Sequence, residues 1–433
     1  MKNKILLTLI ISTGLLLPST GESQTMRTGR SVALAGSGAL AMYGCQAAGW
    51  NPANLGLNAN PVFSLSFGSL GLSMGNNAFS PEYIGNTFVK GDTLSEEKKT
   101  EILGKMSADK LDIYTNVGVP IFGLSIANFA LNVDAFALGN ASIPADVFRL
   151  ILTGPVKDKT YDLSTVEESG LGYVSASLST AKAFDNIPFT REFAVGATFK
   201  YIVGAGYSEL VHKEGYFQVN DSTIESEGSF KVLNSTQIGD GIGLDLGAAG
   251  RLDFMDLYVG MTLGNIIGDI NWNEVEAKDN SFSHHGGADL ERFDDEEYLN
   301  DFFLASDTTY KVDAVTTPLP RYLLLSADKA YLSGKGDLFF SYYQGLNETP
   351  GQNMTPRLSL GSEFRWIPVL PLRAGIAVGG VEGMELAGGF GLRLLGYQMN
   401  LGASWHRGVA AGAQGFSFAL TNYFGPGFKR PKN

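Results

Sequence analysis

The chain has 433 residues, with 44 acidic side chains against 32 basic ones, a formal net charge of −12 and one cysteine. That acidic balance argues against nucleic acid as a partner, and a single cysteine excludes a disulfide framework. Only 18% of residues are charged, while there are 54 Gly, 27 Phe and 17 Tyr. Mean hydropathy is +0.03, yet after the N-terminus no apolar run approaches the roughly 18 residues a spanning helix needs. Hydrophobicity is dispersed in short alternating pieces, the pattern that strands of a membrane barrel leave in a sequence.

Residues 1–23 read as a secretory signal peptide. Lys2 and Lys4 give a positive start, Ile5–Leu17 an apolar stretch, and Pro18, Ser19, Gly21 and Ser23 a small-residue cleavage zone. Cys45 lies too far downstream to anchor a lipid and reads as a buried, inert thiol. Residues 24–58 form a small, apolar, Gly/Ala-rich stretch without a sustained period of two. It ends at Trp50-Asn51-Pro52-Ala53. Pro52 removes a backbone donor and biases Asn51 away from helix, which predicts a capped helical end followed by a turn.

From 59 to 424 the period is two. In Arg357–Trp366, Leu358, Leu360, Phe364 and Trp366 oppose Arg357, Ser359, Gly361, Glu363 and Arg365; Met384–Leu394 and Ile242–Arg251 alternate likewise. The face opposite the apolar one is rich in Gly and in charges of both signs, which reads as a barrel lumen. The fold class predicted is all-β: a 14-stranded antiparallel transmembrane β-barrel with an N-terminal helical hatch in the lumen. Strands are placed at 61–73, 109–119 and 121–138, with a turn at Pro120, and eleven more between 169 and 424. Short connections alternate with long ones, and 74–108, 139–168, 208–237 and 270–319 read as outer loops. Within these, Ser95–Met106 and Pro144–Thr153 predict helices, and Glu214–Val219 with Glu227–Leu233 a projecting hairpin. The closing strand carries Phe416, Phe418, Leu420 and Phe424 on one face, and a tail, 425–433, follows it.

The opening Arg30, Ser31, Ala33, Ala35 and Gly36, the small-residue stretch, the Asn51-Pro52-Ala53 motif before the first strand and the count of fourteen strands resemble the FadL/TodX-type outer-membrane transporter family, as a distant Bacteroidetes-like member. The resemblance implies a hatch inside the barrel that includes Trp50, Asn51, Pro52 and Ala53. It also implies hydrophobic, fatty-acid-like ligands captured at outer loops and a kinked third strand opening a path to the membrane. Leu124 and Ile126 share one parity; Phe129, Leu131 and Val133 share the other. A bulge at Ala127, Asn128 and Phe129 would reconcile them, as would Phe129 and Val133 pointing inward.

Lys200, Asp245, Arg251, Arg357, Glu363, Arg365, Glu385 and Arg393 are predicted to face the lumen, where charges must be paired or wet. They read either as ion pairs holding hatch to wall or as a carboxylate site using Arg357, Arg365 or Arg393. The acidic stretch Asp289–Asp301 lacks calcium-loop spacing and reads as a solvated loop. His284 and His285 are adjacent and so poorly placed to ligate one metal. Ser404 and His406 share a face but lack an orienting third group and a G-x-S-x-G elbow, so no enzyme, cofactor or metal is expected. Two functions remain: passive uptake of hydrophobic small molecules, or a non-transporting partner of a secretion or surface-attachment complex. Either places the chain in a Gram-negative outer membrane, among lipids and lipopolysaccharide, with a protein partner at the outer loops in the second case.

Overall fold

The computed structural model describes residues 28–89, 94–106, 109–220, 223–235, 237–286 and 306–425. The segment 1–23, residues 24–27, the acidic stretch Asp289–Asp301, the tail beyond Gly425 and the side chains of His284 and His285 lie outside what is described.

Fourteen antiparallel strands close on themselves. They are β1 (Phe63–Phe67 and Leu70–Asn76), β2 (Lys110–Ile126), β3 (Phe129–Pro144), β4 (Glu167–Phe184), β5 (Thr190–Val219), β6 (Gly239–Leu252) and β7 (Leu257–Trp272). There follow β8 (Val315–Pro318 and Tyr322–Tyr331), β9 (Gly336–Gly345), β10 (Arg357–Phe364), β11 (Leu372–Gly379), β12 (Glu385–Leu394), β13 (Tyr397–His406) and β14 (Gly415–Phe424). β14 returns to β1, with Leu65 opposite Phe424 and Leu70 opposite Leu420. The alternation explains the sheet. In β10, Leu358 and Leu360 point outward while Arg357, Ser359 and Glu363 are buried inside. Across β9 to β13, Phe340, Leu360, Ile376, Leu386 and Trp405 lie opposite one another in register and make a continuous outward apolar band.

The first hairpin differs from its sequence expectation in two places. Pro120 does not turn the chain but lies within β2. The turn is Ala127–Asn128, between paired Ile126 and Phe129, with Ala127 at φ 51°. The bulge predicted for Ala127–Phe129 is instead at Ile121, since Pro120 pairs with Asp134 and Phe122 with Val133. Even-numbered side chains therefore face inward up to Pro120 and outward from Phe122. Proline has no N–H to give the ladder, so an interruption beside it forfeits little. Phe129 points outward, 59% exposed, which removes the inward alternative. β1 breaks opposite this bulge, at Gly68 (φ 58°) and Ser69.

At the long-loop end, β5 does not stop near 207 but runs on as a 30-residue strand. There it pairs with Ile224–Ser235, which in turn pairs with Val275–Gly286, and that with Ser306–Val312. The hairpin expected from Glu214–Val219 and Glu227–Leu233 is thus present, and parts of the segment 270–319 expected as loop join it, extending one side of the wall as sheet. Helix Glu96–Lys105, capped by the Ser95 hydroxyl accepting the Lys98 N–H at 3.3 Å, and helix Ala145–Thr153 bury Ile102, Val147, Phe148 and Leu152 against Phe79 and Ile143.

Residues 28–60 lie inside the barrel as a short helix (Gly29–Ala33) and three 3-10 turns (Ala39–Ala41, Gly44–Gly49 and Pro52–Gly56). The helix starts with a reciprocal cap: Thr28 Oγ1 accepts the Ser31 N–H at 3.0 Å, and the Thr28 N–H donates to Ser31 Oγ at 2.9 Å. Glycines on the inner wall admit this backbone. A Cβ on Gly196 would lie 2.5 Å from the Pro52 carbonyl carbon, and one on Gly247 would lie 2.2 Å from Asn51 Oδ1. The lumenal segment, rather than water alone, accounts for the small residues of that face.

Candidate functional site

The first part of the site is the turn Trp50–Ala53. The Asn51 side chain caps the Pro52–Gly56 turn, its Oδ1 accepting the Ala53 N–H at 3.0 Å. Its Nδ2 donates to Ala248 O at 3.1 Å and Met261 O at 3.3 Å, tying the segment to β6 and β7. Pro52 supplies a fixed φ at the first helical position. Trp50 is buried among Ala39, Met42, Tyr322, Leu324 and Tyr343.

The second part is a set of buried charges in two groups. Toward the short-turn end, Glu363 forms ion pairs with four arginines: Arg30 of the lumenal segment at 3.1 Å, Arg373 at 2.8 Å, Arg365 at 2.9 Å and Arg393 at 3.1 Å. Arg365 also binds Asp337. Toward the other end, Arg357 donates to Glu382 at 2.8 Å, to Glu385, and to Ala35 O of the segment at 3.3 Å. Glu382 continues through Ser73 (3.0 Å) and Ser417 (3.0 Å) to His406 Nε2 (2.9 Å), whose Nδ1 meets the Tyr114 hydroxyl at 2.7 Å. Glu382, Glu385 and His406 bring ligand-type atoms within 4.8 Å of one another. Both carboxylates are engaged by Arg357, so a guanidinium already holds the position a cation would take.

The third part is a lumenal cavity of about 60 Å³. Its floor is Ala48 and Gly49 of the segment; Asn116, Asp134, Ser175, Ser177, Lys200 and Asn265 supply its polar wall. Lys200 Nζ lies 2.8 Å from Asp245 Oδ2 and 2.7 Å from Asn265 Oδ1. Phe136 and Tyr173, stacked at 5.0 Å, form an apolar wall. That wall runs on into a buried cluster at the long-loop end that includes Leu138, Ile202, Tyr207, Ile270 and Trp272. The lumen thus carries an apolar, aromatic layer above a small polar chamber, with the segment beneath.

A family model described as a family of unknown function (DUF5723) matches residues 52–403. The chain belongs to this family. The family description carries no function, and comparison with curated proteins gives no significant match. Solved structures share the fold, two of them at full coverage of their own chains. These two are the toluene transporter TbuX of Ralstonia pickettii (13% identity, TM-score 0.51) and a FadL homologue of Pseudomonas aeruginosa (14% identity, TM-score 0.50). Each alignment covers 94% of this chain and 100% of the other. The DUF5723 chain is therefore a FadL-type barrel in fold.

The residues singled out in the DUF5723 sequence are not all brought together. Lys200 and Asp245 meet at the cavity; Arg251 pairs with Asp256 at the β6–β7 turn, 2.5 Å away. Arg357, Arg365 and Arg393, considered for a carboxylate ligand, are each held by carboxylates of the chain itself. The Nδ1 partner of His406 is a phenol, not the carboxylate a hydrolytic triad uses. Arg30, Arg373, Asp337 and Glu382 were missed as members of the charge groups, and Asp134 as a cavity residue. Asp134 was legible in principle: with the turn at 127–128, it takes the lumenal parity of Ala130 and Asn132.

Proposed function

We propose that this barrel sits in a Gram-negative outer membrane, with the lumenal segment as its hatch, and mediates passive uptake of hydrophobic small molecules. The observation carrying this reading is the apolar aromatic layer of the lumen lying directly over a chamber floored by the hatch. A channel for water-soluble solutes is lined by polar groups at its mouth, whereas this mouth buries Tyr207 against Trp272 at 5.8 Å and offers an apolar ligand a surface to replace.

The outward band of Phe340, Leu360, Ile376 and Leu386 supports contact with acyl chains. Phe189, Phe254 and Trp366, exposed at the short turns, suit the interfacial girdle on that side. The long-loop end then faces outward, among lipopolysaccharide, after export by the signal at 1–23. TbuX is a toluene transporter, which supports uptake over the reading as a non-transporting partner. The break in β1 and the bulge at Ile121 mark where a ligand would leave the wall sideways, with Cys45, Gly123 and Asn132 on its inner side.

The test is uptake of a radiolabelled alkylbenzene by cells whose lipopolysaccharide-bearing outer membrane lacks other channels for it. Cells carrying the barrel take it up faster than empty cells. Equal rates, with the barrel folded in the outer membrane, overturn the reading.

A further inference from the structure

Asp134 is 5% exposed, lines the cavity and has Oδ1 without a hydrogen-bond partner. Its register partners across the sheet are Pro120 on one side, which has no N–H, and Ser175 on the other. Lys200, which lines the same cavity, is already engaged by Asp245 and Asn265. Lys200 is thus neutralised by Asp245, and Asp134 has no counter-charge of its own among the residues lining the chamber. A buried carboxylate without a donor is costly, and a donor that reaches it is correspondingly favoured. The cavity of about 60 Å³ holds several water-sized volumes, enough for a headgroup of a few heavy atoms but not for a chain or ring. The apolar part of a ligand would have to lie along Phe136 and Tyr173, in the layer above.

Resting on the uptake reading, we propose that this chamber selects an amphiphile whose polar end donates hydrogen bonds, an amine above all and a hydroxyl next, and that it rejects carboxylates. Asp134 accepts from the headgroup. The second carboxylate, Asp245, neutralises Lys200 and so denies an incoming anion its counter-charge. The selectivity is set by one acceptor that the protein leaves without a donor.

The experiment uses the full-length mature chain in a neutral detergent. Binding is measured by equilibrium dialysis for four ligands that share a phenyl body: ethylbenzene, 2-phenylethanol, 2-phenylethylamine and phenylacetate. The amine binds about tenfold or more tighter than phenylacetate, in keeping with a charge-assisted bond, and the alcohol falls between them. In Asp134→Asn, which keeps the shape, the advantage of the amine over the alcohol is lost and phenylacetate gains. Folding of the variant is checked by heat-modifiable migration on a gel. The wild-type ranking stands as a test even without the variant. If ethylbenzene binds but amine and carboxylate bind equally, or if Asp134→Asn leaves the ranking intact, the selectivity is overturned and the uptake reading survives. If none of the four binds, the uptake reading falls and takes this proposal with it.

Discussion

Arg30 Nη2 lies 3.1 Å from Glu363 Oε2, and this one contact joins the lumenal segment to the wall at a carboxylate shared with three further arginines. Glu363 is fully buried. A carboxylate that four guanidiniums surround cannot be removed without leaving their charges uncompensated. Glu363→Gln therefore destabilises the barrel by about 3–5 kcal/mol, the usual cost of breaking one side of a buried ion pair. Urea unfolding in lipid vesicles, combined with protease sensitivity of residues 28–60, checks it; an unchanged midpoint and an uncut segment contradict it.

Gly196 offers a steric test of the same docking. An alanine there would set its Cβ against the Pro52 backbone, 2.5 Å from the carbonyl carbon, where no flexible side chain can give way. Gly196→Ala shifts the Asn51 turn and costs about 1–3 kcal/mol, as overpacking does. Hydrogen exchange at Ala53, whose N–H is held by Asn51 Oδ1, rises in the variant. Retained protection there refutes the packing described.

Cys45 makes a pH prediction. Burial pushes its thiol from 9.0 up to about 12. The folded state thus prefers the protonated thiol. The stability this preference supplies is complete below about pH 9, where the unfolded thiol is also protonated, and is lost as pH rises toward 12. Alkylation by iodoacetamide at pH 8 is correspondingly slow in the folded barrel and fast after unfolding. Rapid labelling of the folded protein contradicts the burial.

Ile121 separates wall shape from wall stability. Deleting it leaves Phe122 facing outward and Gly123 inward while making the β2–β3 ladder continuous. The deletion is tolerated or mildly stabilising, but alkylbenzene uptake falls if the break is the lateral exit. Unchanged uptake places the exit elsewhere.

How much was legible follows from which interactions are local. The alternation in β10 and β12 is local, so strand identity and the facing of Arg357, Glu363 and Glu385 could be read directly. The Ala127–Asn128 turn could not. It lacks an Asn-Gly or Asp-Gly pair, and Pro120 nearby looks like a better breaker, although a proline inside a strand is tolerated at a bulge. The partners of the lumenal charges were hidden for a different reason. Arg30 meets Glu363, and Ser73 meets Glu382, only because the sheet closes and the segment threads it. Closure is set by the register of every strand at once, which no local pattern carries. The hairpin expected from Glu214–Val219 and Glu227–Leu233 is present, whereas Val275–Gly286 and Ser306–Val312 were read as loop because they are mostly polar and the first buries only Val275, Ala277 and Phe282 as apolar anchors.

The account depends most on the outward band facing acyl chains while the segment fills the bore. The direct measurement is fluorescence quenching of a single tryptophan, Leu360→Trp with Trp50, Trp272, Trp366 and Trp405 replaced by phenylalanine, in vesicles of lipids brominated along their acyl chains. Leu360 lies between outward Phe340 and Ile376, so the account predicts strong quenching by the bromolipid and almost none by aqueous iodide. Strong quenching by iodide with none from the lipid would mean that this band faces water, and the membrane assignment would be wrong.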